Sequence, residues 1–310
     1  MSSGLLFDGV QVTFRLPGGQ NIKAVDGVTL SVPEGQVTGL IGESGCGKSV
    51  LGMALLGLLP PYAAVEGVIS LNGEALTPQS AQARLGREIG LIPQNPADSL
   101  NPGRTIGAHL NEALLPLNLN RKERGERSRQ LLQAFGFAEP ERILRAYPHE
   151  LSGGMQQRAL CAIGAACSPR WMLADEPTKG LDRHLLSQVL DTLRALPKQG
   201  VTSMLVITHD LTLARALCQQ VAVMYAGQVL EVGTQVLERP LHPYTQAFLN
   251  ALPENGFQPL QGVAPRAGER LPGCPFAPRC AHCTARCREE RPPETCPEPG
   301  RRVRCFLYGG

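Results

Sequence analysis

The chain has 310 residues, of which 43% are hydrophobic and 18% charged, and this composition excludes a wholly disordered protein. A chain of this length predicts either one large domain with something smaller beside it, or two domains. The formal net charge of +3 is too small to indicate nucleic-acid binding by itself. Residues 264–310 hold nine Arg, no Lys and five Glu. Such an arginine-rich end is typical both of a segment that faces an anionic partner and of an ordinary solvated surface.

The sequence predicts neither a secretory signal nor a membrane span. Residues 1–9 lack a basic start and a long apolar core. The most apolar run, residues 50–65, is interrupted by Pro60 and Pro61 and is short for a bilayer. We therefore expect a cytoplasmic protein that reaches a membrane only by docking on a partner that spans it.

The first part of the chain predicts strands around a glycine-rich loop. Alternating apolar residues over 5–32 predict two strands that turn near residues 17–19. Residues 37–41 have the pattern of a buried strand, and residues 49–59 that of an apolar helix closed by two prolines. Residues 67–73 predict a further strand that ends in an Asn-Gly turn.

The loop between the buried strand and the helix has phosphate-loop spacing: a glycine, four residues, then Gly-Lys-Ser. Its glycines let backbone N–H groups approach phosphates, and the helix N-terminus adds partial positive charge. We expect Lys48 to contact the phosphates and Ser49 to bind Mg²⁺. The loop comprises Gly42, Glu43, Ser44, Gly45, Cys46, Gly47, Lys48 and Ser49.

The middle of the chain predicts a largely helical region. Residues 88–93 have a short strand pattern and are followed by Gln94. From residue 95 to 165, leucines and other apolar residues recur at helical spacing. The highly charged stretch over residues 120–129 predicts the solvated start of one of these helices.

Two later strands are predicted to end in groups suited to hydrolysis. The first ends in Asp175 and Glu176, and the second ends at His209. Because side chains alternate along an extended chain, we expect Asp175 to address Mg²⁺ and Glu176 to face the water. The predicted strands cover residues 170–176 and 201–208, the predicted helices 185–196 and 211–218, and a final hairpin 221–232.

The most specific stretch of the chain is Leu151–Arg158, which reads Leu-Ser-Gly-Gly-Met-Gln-Gln-Arg. Ser152 is expected to cap a helix whose N-terminus is a second anion-binding site. Together with the phosphate loop, Gln94 and the two later strand ends, in this order and spacing, it resembles the ATP-binding cassette (ABC) family of transport ATPases. The resemblance covers residues 5 to about 250.

The resemblance implies how the site works. Two cassettes dock head to tail around two ATP molecules, and the signature of one caps the phosphate loop of the other. By this similarity Glu176 is the general base, His209 reaches the γ-phosphate and Asp182 lies at the dimer interface. The other implied contacts to ATP are Lys48, Gln94, Ser152, Gly153 and Gly154, and the implied Mg²⁺ ligands are Ser49, Gln94 and Asp175.

The resemblance also implies an α/β fold. It has a phosphate-loop NTPase core, a helical subdomain over about residues 95–165, an antiparallel β subdomain and a small Cys-rich C-terminal extension. We place the cassette at residues 1–240 and the extension at residues 241–310, because proline becomes frequent and regular periodicity fades there. We expect the end of the extension to be an irregular or metal-bound tail.

A narrower resemblance is to the oligopeptide, dipeptide and nickel importer branch. It is carried by Gln94–Pro96, Ser99–Pro102, Tyr147–Glu150, His242–Thr245, Gly273–Phe276 and Arg279-Cys280. The branch implies an ATPase that energises uptake of peptides, nickel, or metal-chelate and opine-type cargo. Its implied partners are a second and different cassette, two permease subunits at the cytoplasmic face of the membrane and, indirectly, a substrate-binding protein.

Two other functions compete with this one. A soluble cassette acting on nucleic acid or ribosomes usually carries two cassettes or a long coiled coil before the signature, and no heptads occur here. A metabolic kinase on a phosphate-loop fold leaves the signature unexplained. We therefore expect no nucleic-acid partner.

One departure from the family concerns adenine. Cassettes often stack this base on an aromatic residue upstream of the phosphate loop, but residues 18–25 contain none. Phe14 is the nearest candidate.

Six of the ten cysteines fall within residues 274–305. In a reducing compartment such a cluster indicates a metal site rather than disulfides. Four thiolates suit a [4Fe–4S] cluster. Zinc is an alternative because Cys280 and Cys283 have a zinc-like gap with His282 nearby, and unligated thiols are a third reading. The four predicted cluster ligands are Cys274, Cys280, Cys287 and Cys305.

Overall fold

The computed structural model describes residues 4–179, 186–251, 258–266, 268–269 and 271–309, with the backbone alone for Ala97. The chain divides into two compact units. Unit 1 comprises residues 1–34, 38–81 and 218–310, and unit 2 comprises residues 35–37 and 82–217. Each unit therefore joins stretches that are distant in sequence, while the predicted boundary near residue 240 stays a prediction.

Most of the predicted elements are present. The strands are β1 Gly4–Arg15, β2 Asn21–Pro33, β3 Val37–Ile41, β4 Ala63–Leu71, β5 Glu74–Ala75, β6 Ile89–Ile92, β7 Trp171–Asp175, β8 Ser203–Thr208, β9 Gln220–Tyr225, β10 Gln228–Gly233, β11 Thr295–Glu298 and β12 Arg301–Val303. The α-helices are α1 Lys48–Leu55, α2 Pro78–Arg84, α3 Pro96–Ser99, α4 Ile106–Ala113, α5 Arg121–Ala134, α6 Pro140–Arg145, α7 Gly153–Gly164, α8 Leu186–Ala195, α9 Leu211–Leu217, α10 Pro243–Asn250 and α11 Ala285–Glu289.

Unit 1 contains an antiparallel sheet with the strand order β2-β1-β4-β5. The predicted turn between the first two strands is confirmed, since β1 ends at Arg15 and β2 begins at Asn21, its partner in the register. The predicted Asn-Gly turn is confirmed as well, because Asn72 and Gly73 both have positive φ, at 52° and 86°. Leu5, Phe7 and Val10 from this sheet are among the most buried side chains of the unit.

A second sheet of unit 1 has the strand order β11-β12-β10-β9-β3, and β3 runs parallel to β9. The predicted hairpin of β9 and β10 is confirmed, with Ala226 and Gly227 in its turn at φ 45° and 82°. It is not the final hairpin, however, because β11 and β12 also pair antiparallel. Strand β12 pairs antiparallel with β10, with Glu231 opposite Val303. The expectation of an irregular tail was therefore wrong for residues 295–303, which extend the sheet.

Helix α1 is shorter than predicted, because it ends at Leu55 rather than near residue 59. The N–H of Gly57 bonds the carbonyl of Ala54, and the N–H of Leu58 bonds the carbonyl of Met53. This is the Schellman pattern, in which a glycine at positive φ closes a helix. Gly57 has φ 66°, and a Cβ there would lie 2.4 Å from the carbonyl oxygen of Pro78.

Unit 2 contains the parallel strand order β8-β7-β6 and the helices of the predicted helical region. The helical pattern over residues 95–165 is confirmed by α3 to α7. Asn120 caps α5 and forms a capping box with Glu123, which confirms the predicted solvated helix start. Leu131 and Leu132, on the buried face of α5, are fully buried.

Candidate functional site

The phosphate loop belongs to unit 1 and joins β3 to α1. Two of its glycines are required by close backbone contacts. A Cβ on Gly42 would lie 2.0 Å from the carbonyl oxygen of Met224, and one on Gly47 would lie 2.4 Å from that of Ala24. Gly47 also has φ 107°, which L residues rarely adopt. The sequence pattern therefore marked positions where only glycine fits.

Lys48 is held inside this loop by its own backbone. Its Nζ donates to the carbonyl oxygens of Gly42 at 2.8 Å and Glu43 at 2.9 Å, and the residue is 5% exposed. The Nζ also donates to the Sγ of Cys46 at 3.7 Å, so all three donors of the ammonium have partners inside the loop. The two carbonyls fix its direction, and the thiol sulfur, a weak acceptor, is the partner that a phosphate oxygen would displace. Ser49 follows in the first turn of α1 and is half-buried. Its predicted contact with Mg²⁺ stays a prediction.

Cys46 is a buried part of the same loop, with 6% exposure. Burial raises the pKa of its thiol, and the nearby Lys48 opposes this only partly. The thiol is therefore protonated at neutral pH and acts as a small apolar group beneath the loop.

Glu176 and His209 meet in unit 2. The Nδ1 of His209 lies 2.6 Å from the Oε2 of Glu176, and the side chain of Glu176 is 7% exposed. The N–H of Glu176 also donates to the carbonyl of Ile207, in β8. The structure thus brings together the two residues expected at the γ-phosphate, a carboxylate and an imidazole.

Strand alternation was the wrong basis for predicting the direction of the Glu176 side chain. The predicted position of Glu176, where a strand ends, is confirmed. Strand β7 stops at Asp175, and Glu176 has φ 48°, in the left-handed region. The alternation of an extended strand therefore does not apply to Glu176. Its carboxylate direction is set instead by this local turn and by His209.

The signature stretch begins helix α7 in unit 2. Ser152 is the N-cap, and its side chain accepts a hydrogen bond from the N–H of Met155 at 3.4 Å. Ser152 and Gly153 are exposed, whereas Gly154 is buried. Gln156 anchors the turn before the helix by donating to the carbonyls of residues 148 and 151. The predicted helix opening is confirmed, and the anion-binding site expected at this helix N-terminus stays a prediction.

The other predicted site residues are placed as follows. Gln94 is half-buried just after β6, and Asp175 ends β7 opposite Ile207 of β8. Asp182 lies outside the described residues. The contacts of Gln94, Asp175 and Asp182 with Mg²⁺ or a partner cassette therefore stay predictions.

A cavity of about 70 Å³ lies beside the phosphate loop in unit 1. Its lining includes Ser44, Ala24 and Tyr225 together with the C-terminal residues Pro265 and Arg266. Phe14 does not line it; this ring instead lies 6.0 Å from that of Tyr62. Nothing here supports Phe14 as an adenine platform.

Two residues of the extension that contact the phosphate loop were missed as site residues. The hydroxyl of Tyr244 accepts from the N–H of Glu43, and the guanidinium of Arg279 binds the Glu43 carboxylate. Both lie in short motifs that served only to identify the importer branch. The two motifs were therefore visible in the sequence, but their contacts with the phosphate loop were not.

The four cysteines predicted as cluster ligands line one cavity of about 80 Å³ in unit 1, together with His242 and His282. Burial and the neighbouring thiols raise the pKa of Cys274 to about 11. Among the described residues, no group of three or more His, Cys, Asp or Glu is arranged to hold a metal ion. The predicted cluster therefore stays a prediction. The four cysteines are Cys274, Cys280, Cys287 and Cys305.

Comparisons with known proteins agree with this site. Residues 25–179 match the family described as ABC transporter, and residues 231–287 match the oligopeptide/dipeptide transporter C-terminal region. The chain is 39% identical to the oligopeptide transport ATP-binding protein AppD of Bacillus subtilis (strain 168), over 93% of this chain and 92% of that protein. It is 39% identical to the dipeptide transport ATP-binding protein DppD of Escherichia coli (strain K12), over 91% of this chain and 90% of that one.

A solved structure is also similar. It is described as a dimeric, post-hydrolysis state of the ATP-binding cassette MJ0796 bound to ADP and Pi. The TM-score is 0.65 at 25% identity, over 74% of this chain and 98% of that one. The similarity therefore covers the cassette fold as well as the motifs.

Proposed function

Because the chain belongs to the ABC transporter family of ATPases and carries the C-terminal region of oligopeptide/dipeptide transporters, we propose that it energises peptide uptake through a membrane permease. The observation that carries this proposal is the similarity over nine tenths of the chain to subunits named for oligopeptide and dipeptide transport. The comparisons lend no support to nickel or opine-type cargo, which the sequence had left open.

We propose that the residues of the site divide the chemistry of ATP hydrolysis among them. The loop N–H groups and Lys48 bind the β- and γ-phosphates, while the 2.6 Å contact with His209 orients the Glu176 carboxylate. Glu176 then takes a proton from the attacking water, and His209 contacts the γ-phosphate. Ser49, Gln94 and Asp175 would hold Mg²⁺, which neutralises charge that develops on the phosphate oxygens.

The signature supports a second ATP contact made in an assembly. Ser152 and Gly153 stand exposed at the start of a twelve-residue helix, so their N–H groups are available to the γ-phosphate bound by another cassette. We propose that the partner is a second and different cassette, with Asp182 at the interface, and that two permease subunits and a substrate-binding protein complete the importer.

A membrane location follows from the proposed partners rather than from the chain itself. In the part of the chain that the structure describes, no helix combines the length and the apolar character needed to cross a bilayer. We propose that the protein is peripheral, at the cytoplasmic face of the membrane, where it binds the permease.

The experiment reconstitutes the importer in proteoliposomes with its permease pair, second cassette and binding protein. Di- to pentapeptides are expected to accumulate inside in an ATP-dependent way and to stimulate phosphate release. Nickel ions and an opine serve as the comparison cargoes. Uptake of nickel or opine without peptide uptake would overturn the peptide assignment while leaving the ATPase assignment intact.

We also propose that the four-thiol cavity holds a [4Fe–4S] cluster that pins the extension. The support is that the four predicted ligands, spread over residues 274–305, line one cavity. Since the Cys274 thiol has a raised pKa, a bound metal would have to displace its proton, which couples metal binding to pH.

Iron, sulfide and zinc analysis after anaerobic purification, with the visible absorption spectrum, tests the cluster. Cys280→Ser should lose the iron and the absorption, whereas Cys296→Ser should keep both, because Cys296 is exposed and does not line the cavity. Stoichiometric zinc without sulfide would establish the alternative metal, and a folded metal-free extension would overturn both.

A further inference from the structure

Glu43 of the phosphate loop is bound by an arginine from the C-terminal extension. The Nη1 of Arg279 lies 3.2 Å from both carboxylate oxygens of Glu43. The Arg279 side chain is 6% exposed and that of Glu43 is 24% exposed, so water screens this pair only in part. A charge-assisted contact of this kind is stronger than a neutral hydrogen bond.

The backbone of Glu43 is held on both sides as well. Its N–H donates to the hydroxyl of Tyr244 at 3.1 Å, and its carbonyl accepts from the Nζ of Lys48 at 2.9 Å. Glu43 is therefore the residue through which two side chains of the extension reach the phosphate-binding lysine. Any shift of Glu43 moves a carbonyl that directs the Lys48 ammonium.

Arg279 is also held by contacts other than the one with Glu43. Its Nε donates to the carbonyl of Gln261 at 2.9 Å, and its Nη1 also donates to the hydroxyl of Tyr225 at 3.1 Å. The guanidinium lies 5.8 Å from the ring centroid of Tyr225 and 6.0 Å from that of Phe276. Because these contacts already restrict its rotamers, Arg279 loses little side-chain conformational entropy when it binds Glu43.

The charges of Arg279 and Glu43 should affect how strongly the loop binds ATP. The Glu43 carboxylate stands in a loop built to receive phosphates, which it would repel if it were left uncompensated. The guanidinium of Arg279 neutralises it, and the lysine of the same loop then meets the phosphates without a competing anion. Replacing Arg279 alone would therefore leave the Glu43 carboxylate uncompensated. It would also remove a contact that holds the phosphate loop in place.

We propose that Arg279 is a positioning residue for ATP, which acts through Glu43 on Lys48 and makes the C-terminal extension a part of the nucleotide site. The inference rests on the proposed ATPase function and adds a residue to it. It differs from a purely structural role, in which Arg279 would only attach the extension to unit 1.

The test measures ATP affinity of the full-length chain with Arg279→Gln, Arg279→Lys and the double variant Glu43→Gln/Arg279→Gln. Arg279→Gln should weaken ATP binding about tenfold, within the usual range for coupled sites. Arg279→Lys keeps the positive charge but loses the planar guanidinium with its several donors, so it should weaken ATP binding about threefold. The double variant should recover part of the lost affinity, because no uncompensated carboxylate remains.

Arg302→Gln is the matched control, because it removes an ion pair of the same extension, 3.0 Å to Glu294, that lies outside the loop. It should leave ATP affinity and the unfolding midpoint close to wild type. In the assembled importer, Arg279→Lys should raise the KM for ATP and leave kcat unchanged, since Glu176 and His209 are not altered.

Unchanged ATP affinity in Arg279→Gln would overturn the proposal, and so would a double variant that binds no better than Arg279→Gln. If Arg279→Gln does not fold, Arg279→Lys decides in its place, and a KM equal to that of wild type contradicts the inference. A wild-type chain that does not bind ATP would instead contradict the proposed function, which keeps the two failures distinct.

Discussion

The Nδ1 of His209 lies 2.6 Å from the Oε2 of Glu176, and the backbone N–H of His209 donates to the same oxygen at 3.4 Å. The carboxylate is almost fully buried, whereas about half of the imidazole is exposed. One face of the pair is thus fixed by packing while the other stays open to a ligand. This is the arrangement expected of a base that must keep its orientation while water and phosphate exchange.

Replacement of Glu176 by Gln should stop turnover without stopping ATP binding. The amide keeps the size of the side chain but cannot accept a proton, so steady-state phosphate release should fall about 10²- to 10⁴-fold. Lys48→Ala is the contrasting variant, and its principal loss should be nucleotide affinity. Equilibrium ATP binding and phosphate release are measured on both. Wild-type turnover in Glu176→Gln would contradict the assignment of the base.

Replacement of His209 should lower kcat more than it changes ATP affinity. His209→Ala removes the partner that orients the Glu176 carboxylate, and a loss of about tenfold or more in kcat is expected. His209→Gln, which can still donate to the carboxylate, should retain more activity than His209→Ala. His149→Ala serves as the control, since this ring is exposed and stacks on Tyr147 at 5.7 Å. Equal activity of the Ala and Gln variants would show that orientation of the carboxylate is not the role of His209.

Two glycines of the phosphate loop should differ sharply in their tolerance of a methyl group. Gly45 and Gly47 both have positive φ, at 81° and 107°, but only Gly47 has backbone atoms within reach of a new Cβ. Gly45→Ala should lower the free energy of unfolding by about 1–2 kcal/mol, the cost of a left-handed residue. Gly47→Ala adds a clash with the carbonyl of Ala24, and a loss of more than about 4 kcal/mol or failure to fold is expected.

Urea unfolding monitored by circular dichroism compares the two glycine variants with wild type. Similar losses in both would mean that the loop can move away from Ala24. The comparison separates the cost of the backbone conformation from the cost of the contact, because the conformation is common to both positions.

The isolated chain should hydrolyse ATP slowly compared with the assembled importer. In the proposed assembly the exposed signature of one cassette completes the site of another, so a monomer would lack one set of phosphate donors. Phosphate release per cassette is measured as a function of protein concentration and after addition of the second cassette and the permease pair. Full activity at concentrations where the chain is monomeric would contradict the head-to-tail arrangement.

The local parts of the site were predictable from the sequence, because short-range chemistry sets them. A loop that needs glycine at Gly42 and Gly47 shows that need in its spacing, and a helix that begins after Ser152 shows its cap. Strands β1 and β2 followed from alternation, since burial on one face imposes a period of two. Strand β3 followed from its continuous apolar run, and the end of β4 from its Asn-Gly turn. The family resemblance then added roles that no local pattern contains.

Several features depended on how distant segments pack. The end of α1 depends on Gly57 lying against Pro78. Strand β12 pairs with β10 and so belongs to a sheet, although the sequence predicted an irregular tail there. Glu176 takes its direction from a left-handed turn and from His209, 33 residues away, rather than from strand alternation.

The contact between Arg279 and Glu43 shows the limit of the sequence by itself, because 236 residues separate the two. Each residue was visible within its own motif, one in the phosphate loop and one beside a cysteine. Opposite charge alone does not pair them, since the chain offers many other carboxylates to an arginine. Burial between Tyr225 and Phe276 selects this partner, because a desolvated guanidinium needs the carboxylate that packing brings within 3.2 Å. The sequence by itself thus determined the chemistry of the phosphate loop, and only the tertiary structure decided that the extension takes part in it.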